Sequence, residues 1–255
     1  MTTLTSNDVV RRSALDRTVA MRLAATEYDR VLTVLRQLPA EVWTQPSGNP
    51  GWDVRQLAAH LLGMAEMASR IPEQIRQLRK AKKAGGVFID ALTGLQVDER
   101  ADMTPQQITD RFAVIGPKAA KNRKRTPAFI RNRTMGDLQP VGGKPASPME
   151  KWATGYLVDT ILTRDPWLHR SELCAAGGLT MQLTADHDGV LVADVVRDWA
   201  ERHGQSCTLV LAGPAGGRWT FGSGGEALEL DAVEFCQTLS GRRQATGLLA
   251  TEVPF

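Results

Sequence analysis

Asp165 and His169 stand four residues apart in the stretch T-R-D-P-W-L-H-R-S-E (163–172). On a helix, positions i and i+4 share one face, a turn and roughly 6 Å apart. A carboxylate oxygen and an imidazole nitrogen placed that way can hold one metal ion together. His60, far upstream in L-A-A-H-L-L-G-M (57–64), is the candidate third ligand. Two imidazoles and one carboxylate on neighbouring helices leave a coordination position open. That is the pattern of catalytic rather than structural zinc.

Four helices are predicted to position these residues. Tyr28, Val31, Leu32, Leu35 and Leu38 form one apolar stripe that stops at Pro39. After the turn-rich P-S-G-N-P-G (46–51), Asp53 is placed to cap a second helix. Its inner face carries Val54, Leu57, Leu61 and Met64, with His60 among them. The segment 82–104, with Gly85-Gly86, reads as a connection. Thr104-Pro105 opens a third helix, interrupted at Gly116-Pro117. A Gly- and Pro-rich loop covers 136–148. The fourth helix is expected from about Pro148, carrying Trp152, Tyr156, Leu162 and the Asp165/His169 pair to Gly177-Gly178. A site between facing helices is a bundle design.

The period changes near residue 180. Val190–His203 reads as an amphipathic helix ended by Gly204. Cys207–Leu211 and Arg218–Phe221 read as a hairpin, and Ala227–Leu230 as a third strand. Asp231 caps a short helix, Ala232–Leu239, and Leu248–Val253 is a candidate last strand. The expected architecture is a two-domain α plus α/β chain. A helical bundle covers 1–180 and a small α+β domain covers 181–255.

Composition narrows the function classes. The 255-residue chain has 42% hydrophobic and 23% charged residues and a net charge of +3. That charge does not demand a polyanionic partner, and no apolar run approaches the ~20 residues of a membrane span. The start, MTTLTSNDVVRRS, has no apolar signal-peptide core. Cys174, Cys207 and Cys236 form no C-x-x-C pair and read as reduced, buried thiols, so a cytoplasmic protein is expected. His187 and His203 are expected at the surface.

Three segments carry a family resemblance. W-T-Q-P-S-G-N-P-G-W-D-V-R-Q-L-A-A-H-L-L-G-M (43–64) and T-R-D-P-W-L-H-R-S-E-L (163–173) resemble the second and fourth helices of the DinB-like superfamily. Their form is that of the mycothiol-dependent maleylpyruvate isomerase group. L-V-L-A-G-P-A-G-G-R-W (209–219) and V-E-F-C-Q-T-L-S-G-R (233–242) are similar to the small C-terminal domain of that group. The resemblance implies a DinB-like four-helix bundle, with zinc or another divalent metal on His60, Asp165 and His169. It implies mycothiol as thiol co-substrate and a small electrophile as substrate, in cis–trans isomerisation of maleylpyruvate or thiol S-transfer. It also implies a second-domain arginine, here Arg242, near a substrate carboxylate. The site would serve isomerase and transferase alike.

Two features set this chain apart within that resemblance. Asp165 is a methylene shorter than the Glu of some members. Pro166 follows it, removing one helical hydrogen bond and disfavouring α geometry at Asp165, so a kink is expected there. The alternative to an enzyme is a non-catalytic metal- or ligand-binding scaffold of the same fold. A third class rests on the basic stretch Lys118, Lys121, Arg123, Lys124, Arg125, Arg131 and Arg133. It reads as a solvated face, with steering of anionic substrates as another use. With only Phe129 as an aromatic there, base stacking has little support and a nucleic-acid partner is not expected.

Overall fold

Asp16 starts the first helix: its carboxylate accepts from the backbone N–H groups of Thr18 at 2.8 Å and Val19 at 3.1 Å. The computed structural model describes residues 10–136, 139–141 and 148–255. These divide into two compact units. The first, Asp16–Thr134 with Ala153–Met181, is helical. It contains α1 (Arg17–Gln37), α2 (Val54–Ser69), α3 (Ile71–Ala84), α4 (Phe88–Asp98), α5 (Pro105–Arg125), the single turn α6 (Ala128–Arg131), the single turn α7 (Thr154–Tyr156) and α8 (Leu162–Ala176). A π-helical turn, Leu157–Ile161, joins α7 to α8.

Helices α1, α2, α5 and α8 pack on one another, with Val31, Leu35, Leu57, Leu61, Ile108 and Phe112 in the core between them. Capping boxes fix two starts. Asp53 accepts from Gln56 N–H at 2.6 Å and Gln56 returns to Asp53 N–H at 2.9 Å. Thr104 and Gln107 do the same for α5. The expected stripes of α1 and α2 are therefore the ones that face the core.

Three boundaries differ from the sequence expectation. The segment 82–104 is no simple connection: it holds the end of α3 and all of α4, which pack together and against α2. Helix α5 is not interrupted at Gly116-Pro117 but runs to Arg125. Gly116 serves close packing there, since a Cβ would sit 3.3 Å from the Tyr28 Cβ of α1. The fourth helix does not begin near Pro148. Met149–Trp152 is a strand, and helical structure starts at Thr154.

The second unit comprises the described residues before Asp16, Met135–Trp152 and Gln182–Phe255. Its small sheet pairs β1 (Val10–Arg11) in parallel, and β2 (Gln139–Pro140) antiparallel, with β3 (Met149–Trp152). Glu150 on β3 accepts from Arg11 at 3.2 Å, from both terminal nitrogens of Arg202, and from Trp152 Nε1 at 2.7 Å. That set of partners holds the segment extended. Helix α9 (Val190–His203) packs with α10 (Ala232–Leu239). Strand β4 (Cys207–Ala212) lies antiparallel to β5 (Gly217–Phe221) and parallel to β6 (Glu226–Asp231). The hairpin and third strand match expectation. The candidate last strand is instead a 3-10 turn, Gly247–Ala250, followed by a single Val253 N–H to Leu239 bond of 3.0 Å. His187 is buried, not at the surface. All three cysteines are buried and unpaired with one another.

Candidate metal centre

Helix α2 presents His60 from its buried face, and α8 presents Asp165 and His169. The approach to Asp165 is irregular. The π turn Leu157–Ile161 adds a residue to the helical winding just ahead of it, a device that recurs at functional sites. Pro166 then leaves the carbonyl of Leu162 without its usual donor one turn back. Arg123 fills that place: its Nη1 donates to Leu162 O at 2.8 Å. The same guanidinium gives two bonds to Val158 O, at 3.0 and 2.7 Å, and one to Thr163 Oγ1 at 2.6 Å. Arg123 is 2% exposed, so these bonds are made away from water. Beyond the site, α8 is tied to α1 by a buried fork from Arg170 to Glu27, at 2.6 and 3.3 Å.

His60, Asp165 and His169 converge. One potential ligand atom from each lies within 4.8 Å of the others. Asp165 Oδ1 is 3.5 Å from His60 Nε2 and 3.4 Å from His169 Nε2. The two rings meet edge to face, centroids 5.2 Å apart. Each imidazole is held from behind by its other nitrogen. His169 Nδ1 meets Glu172 Oε2 at 2.6 Å, and His60 Nδ1 meets Gln96 Oε1 at 2.8 Å. Carboxylate and amide oxygens accept, so both rings carry hydrogen on Nδ1 and turn Nε2 toward Asp165.

The P-S-G-N-P-G turn covers one side. Ser47 donates its hydroxyl to Trp52 O at 2.9 Å, and Trp52 N–H returns to Asn49 O at 3.2 Å. The closed turn sets the Trp52 ring 5.2 Å from that of His60. Gly48, at φ 86°, lies over Glu172, where a Cβ would be 3.8 Å from its Cγ. On another side Asp165 and Pro166 border a small recess with Tyr28, Leu61, Met64, Phe112 and Leu162.

The charges are strongly coupled. Burial raises the Asp165 pKa, but the His169 and His60 imidazoles outweigh it and hold the carboxyl well below the usual carboxylate range. Burial alone would lower His169, yet the Asp165 and Glu172 carboxylates push it up to about 9. Asp165 Oδ2 is buried without a hydrogen-bond partner among the described residues. An orphaned carboxylate oxygen is costly unless a cation compensates it.

The residues fit a small divalent cation. Donors at 2.0–2.2 Å from one zinc in tetrahedral array stand roughly 3.3–3.6 Å from each other. The two Asp165–imidazole separations, 3.5 and 3.4 Å, fall in that range. Both Nδ1 positions are already engaged, the usual outer-shell support of metal-binding histidines.

Three of the four residues singled out in the sequence thus share one place. Arg242 belongs to the other unit, just past α10, where its N–H closes on Gln237 O at 2.9 Å. Sequence reading missed Gln96, Glu172 and Arg123 as supports. Glu172 had a signal in its i+3 spacing from His169; Gln96 had none, since α4 itself was missed. The basic stretch is not one solvated face: Arg123 is buried, and Arg131 Nη1 binds Asp159 at 2.8 Å.

A search among curated proteins found no match. Among solved structures the chain is similar to a mycothiol-dependent maleylpyruvate isomerase, with 13% identity, 90% of both chains covered and a TM-score of 0.55. A histidine-to-alanine mutant of that enzyme matches at 12% identity, 90% coverage of both chains and the same TM-score. At such identity the likeness shows the fold. The family model described as the mycothiol maleylpyruvate isomerase N-terminal domain matches residues 24–174, more than half of the chain and the stretch that holds all three converging side chains, and this protein therefore belongs to that family.

Proposed function

We propose that His60, Asp165 and His169 hold one divalent metal, zinc by the character of its donors, and that the protein uses it with mycothiol to act on a small electrophile. The observation that carries this reading is the convergence of two Nε2 atoms and one carboxylate oxygen, with both Nδ1 atoms engaged elsewhere. Imidazole and carboxylate favour zinc over calcium or magnesium, which prefer oxygen alone. A zinc ion there would supply the Lewis acidity that keeps a thiol ionised near neutral pH.

The chain's own groups do the rest. Glu172 and Gln96 hold the two imidazoles in orientation, and Asp165 contributes the negative charge. Leu61, Phe112 and Leu162 line a small recess beside Asp165 and make that flank of the site apolar. In the isomerase reaction the thiolate sulfur adds to the activated double bond as its π electrons move into the conjugated carbonyl. Rotation follows about the resulting single bond. The electrons then return, the carbon–sulfur bond breaks, and the trans product leaves with thiolate regenerated. In S-transfer the carbon–sulfur bond remains and the enolate carbon takes up a proton.

The proposed division of labour puts the metal in the helical part, up to about residue 180, and substrate recognition in 181–255. Arg242 is the proposed cation for a substrate carboxylate, since guanidinium pairs with carboxylate in a fork. A cytoplasmic setting, where mycothiol is kept reduced, belongs to the same reading. Among the described residues no helix is long and apolar enough to cross a membrane. The test is turnover of maleylpyruvate and of an uncharged thiol-reactive electrophile by zinc-loaded protein, with and without mycothiol. Mycothiol-dependent turnover is expected. Zinc uptake without thiol-dependent turnover of either compound would leave a metal-binding scaffold instead.

A further inference from the structure

The imidazole of His60 ends a chain of buried side-chain amides that crosses three helices. Gln77 of α3 gives its Nε2 to two groups, Gly63 O at 3.1 Å and Glu73 Oε1 at 2.9 Å. Its Oε1 accepts from Gln96 Nε2 of α4 at 2.9 Å. Gln96 Oε1 then meets His60 Nδ1 at 2.8 Å. Both glutamines are fully buried. Gly63 lets this happen: a Cβ there would stand 2.6 Å from the Gln96 Cβ and 2.7 Å from its Cγ. Arg100 Nη1 donates to Gln96 O at 2.6 Å and steadies the backbone behind it.

The order of donors along this chain is forced. A backbone carbonyl and an ionised carboxylate only accept, so Gln77 must turn its NH₂ toward Gly63 and Glu73. Its oxygen then faces Gln96, which must answer with its own NH₂. That leaves the Gln96 oxygen for His60, and an oxygen there requires the hydrogen on Nδ1. We propose that Gln77 and Gln96 are positioning residues, an amide relay that fixes the His60 tautomer and so presents Nε2 as a lone pair to the metal site. Gln77 touches neither the site nor His60; it acts only by orienting Gln96. On the other ligand, His169, a carboxylate does the same task in one step, because Glu172 has no donor to misdirect. The inference rests on the metal reading above only for what the lone pair is used for.

The test compares wild type, Gln77→Leu, Gln96→Glu and the double variant. Two quantities are read on each: zinc affinity by chelator competition, and the nitrogen-15 resonances of neutral His60 in metal-free protein. Gln77→Leu should weaken zinc by about tenfold or more, the usual loss when outer-shell support of a ligand is removed. It should also turn a single Nδ1–H tautomer into a mixture. Adding Gln96→Glu should restore both readouts, because a carboxylate cannot offer His60 a donor. A purely structural role for Gln77 would not be repaired that way. Gln77→Met stands in if Gln77→Leu does not fold. Gln77→Leu with wild-type zinc affinity and tautomer, or a loss that Gln96→Glu does not repair, would overturn the relay. If wild type takes up no zinc, the metal reading fails separately. The spectra then decide the relay: a shift in Gln77→Leu that the double variant reverses supports it, and identical spectra overturn it.

Discussion

Arg123 donates to the one carbonyl that Pro166 orphans, Leu162 O, at 2.8 Å. A side chain of α5 thereby completes the hydrogen bonding of α8 directly beside Asp165. Helix α8 runs through Pro166 from Leu162 to Ala176, a π turn precedes it, and the carbonyl left over at Leu162 is satisfied rather than left open.

Arg123→Met should therefore cost more than a surface change. It removes the side-chain donor from Leu162 O, Val158 O and Thr163 Oγ1, and a buried polar group left unpaired costs about 1–3 kcal/mol. We expect a loss of about 2–5 kcal/mol in denaturant unfolding, with zinc affinity falling as α8 loosens. A variant as stable as wild type would show that water or a backbone shift replaces the guanidinium.

Asp165→Glu tests whether the irregular helix is matched to the short side chain. Asp165 Oδ1 already stands at coordination-edge distances from both imidazoles. One more methylene moves the oxygen by about 1.5 Å. Zinc affinity should drop by about tenfold or more, as expected of disturbed ligand geometry. Tighter binding by the longer acid would contradict a matched geometry.

The raised pKa of His169 sets a pH dependence. Against an ordinary value of 6.5, about 9 in the folded, metal-free protein means that the charged imidazole stabilises the fold. That contribution is complete below about pH 6.5 and is lost as pH rises toward 9. Asp165 is depressed, so its contribution is lost only in acid. Metal must displace the His169 proton, so zinc affinity should climb across the same window, 6.5 to 9. Titration calorimetry in buffers of different ionisation enthalpy should show about one proton released per zinc near pH 7.5. Zinc binding with no proton release there would contradict the coupling.

Arg242→Ala should leave zinc content unchanged. Binding of a carboxylate-bearing substrate should weaken by about 1.5–3 kcal/mol, the range for hydrogen bonds to a charged group. An uncharged electrophile should be affected far less. Equal losses for both, read as KM, would remove Arg242 from substrate recognition.

The bundle helices and the Asp165/His169 pair were legible because helix period and i+4 spacing are local properties, while the link from that pair to His60 came from the family resemblance. The His60 face is set by Leu57, Leu61 and Met64, and the Asp165/His169 pair by a single turn. What was not legible depended on distant partners. Helix α4 was hidden by Gly85-Gly86 and Gly94, and its Val87 start has no side-chain cap to mark it. Met149–Trp152 carries helix-compatible residues, yet the partners of Glu150 from Arg11 and Arg202 hold it as a strand. Gly116-Pro117 reads as a break, but the helix continues and Gly116 packs closely against Tyr28. Pro166 announced a disturbance; only the fold supplies Arg123 to satisfy it.

The central claim is that His60, Asp165 and His169 bind one metal ion, and zinc stoichiometry tests it most directly. Purified protein loaded with zinc and freed of excess should hold about one equivalent by elemental analysis, and His60→Ala and His169→Ala should lose most of it, since a catalytic-type site needs its three protein ligands. The same zinc content in wild type and both folded variants would contradict the account.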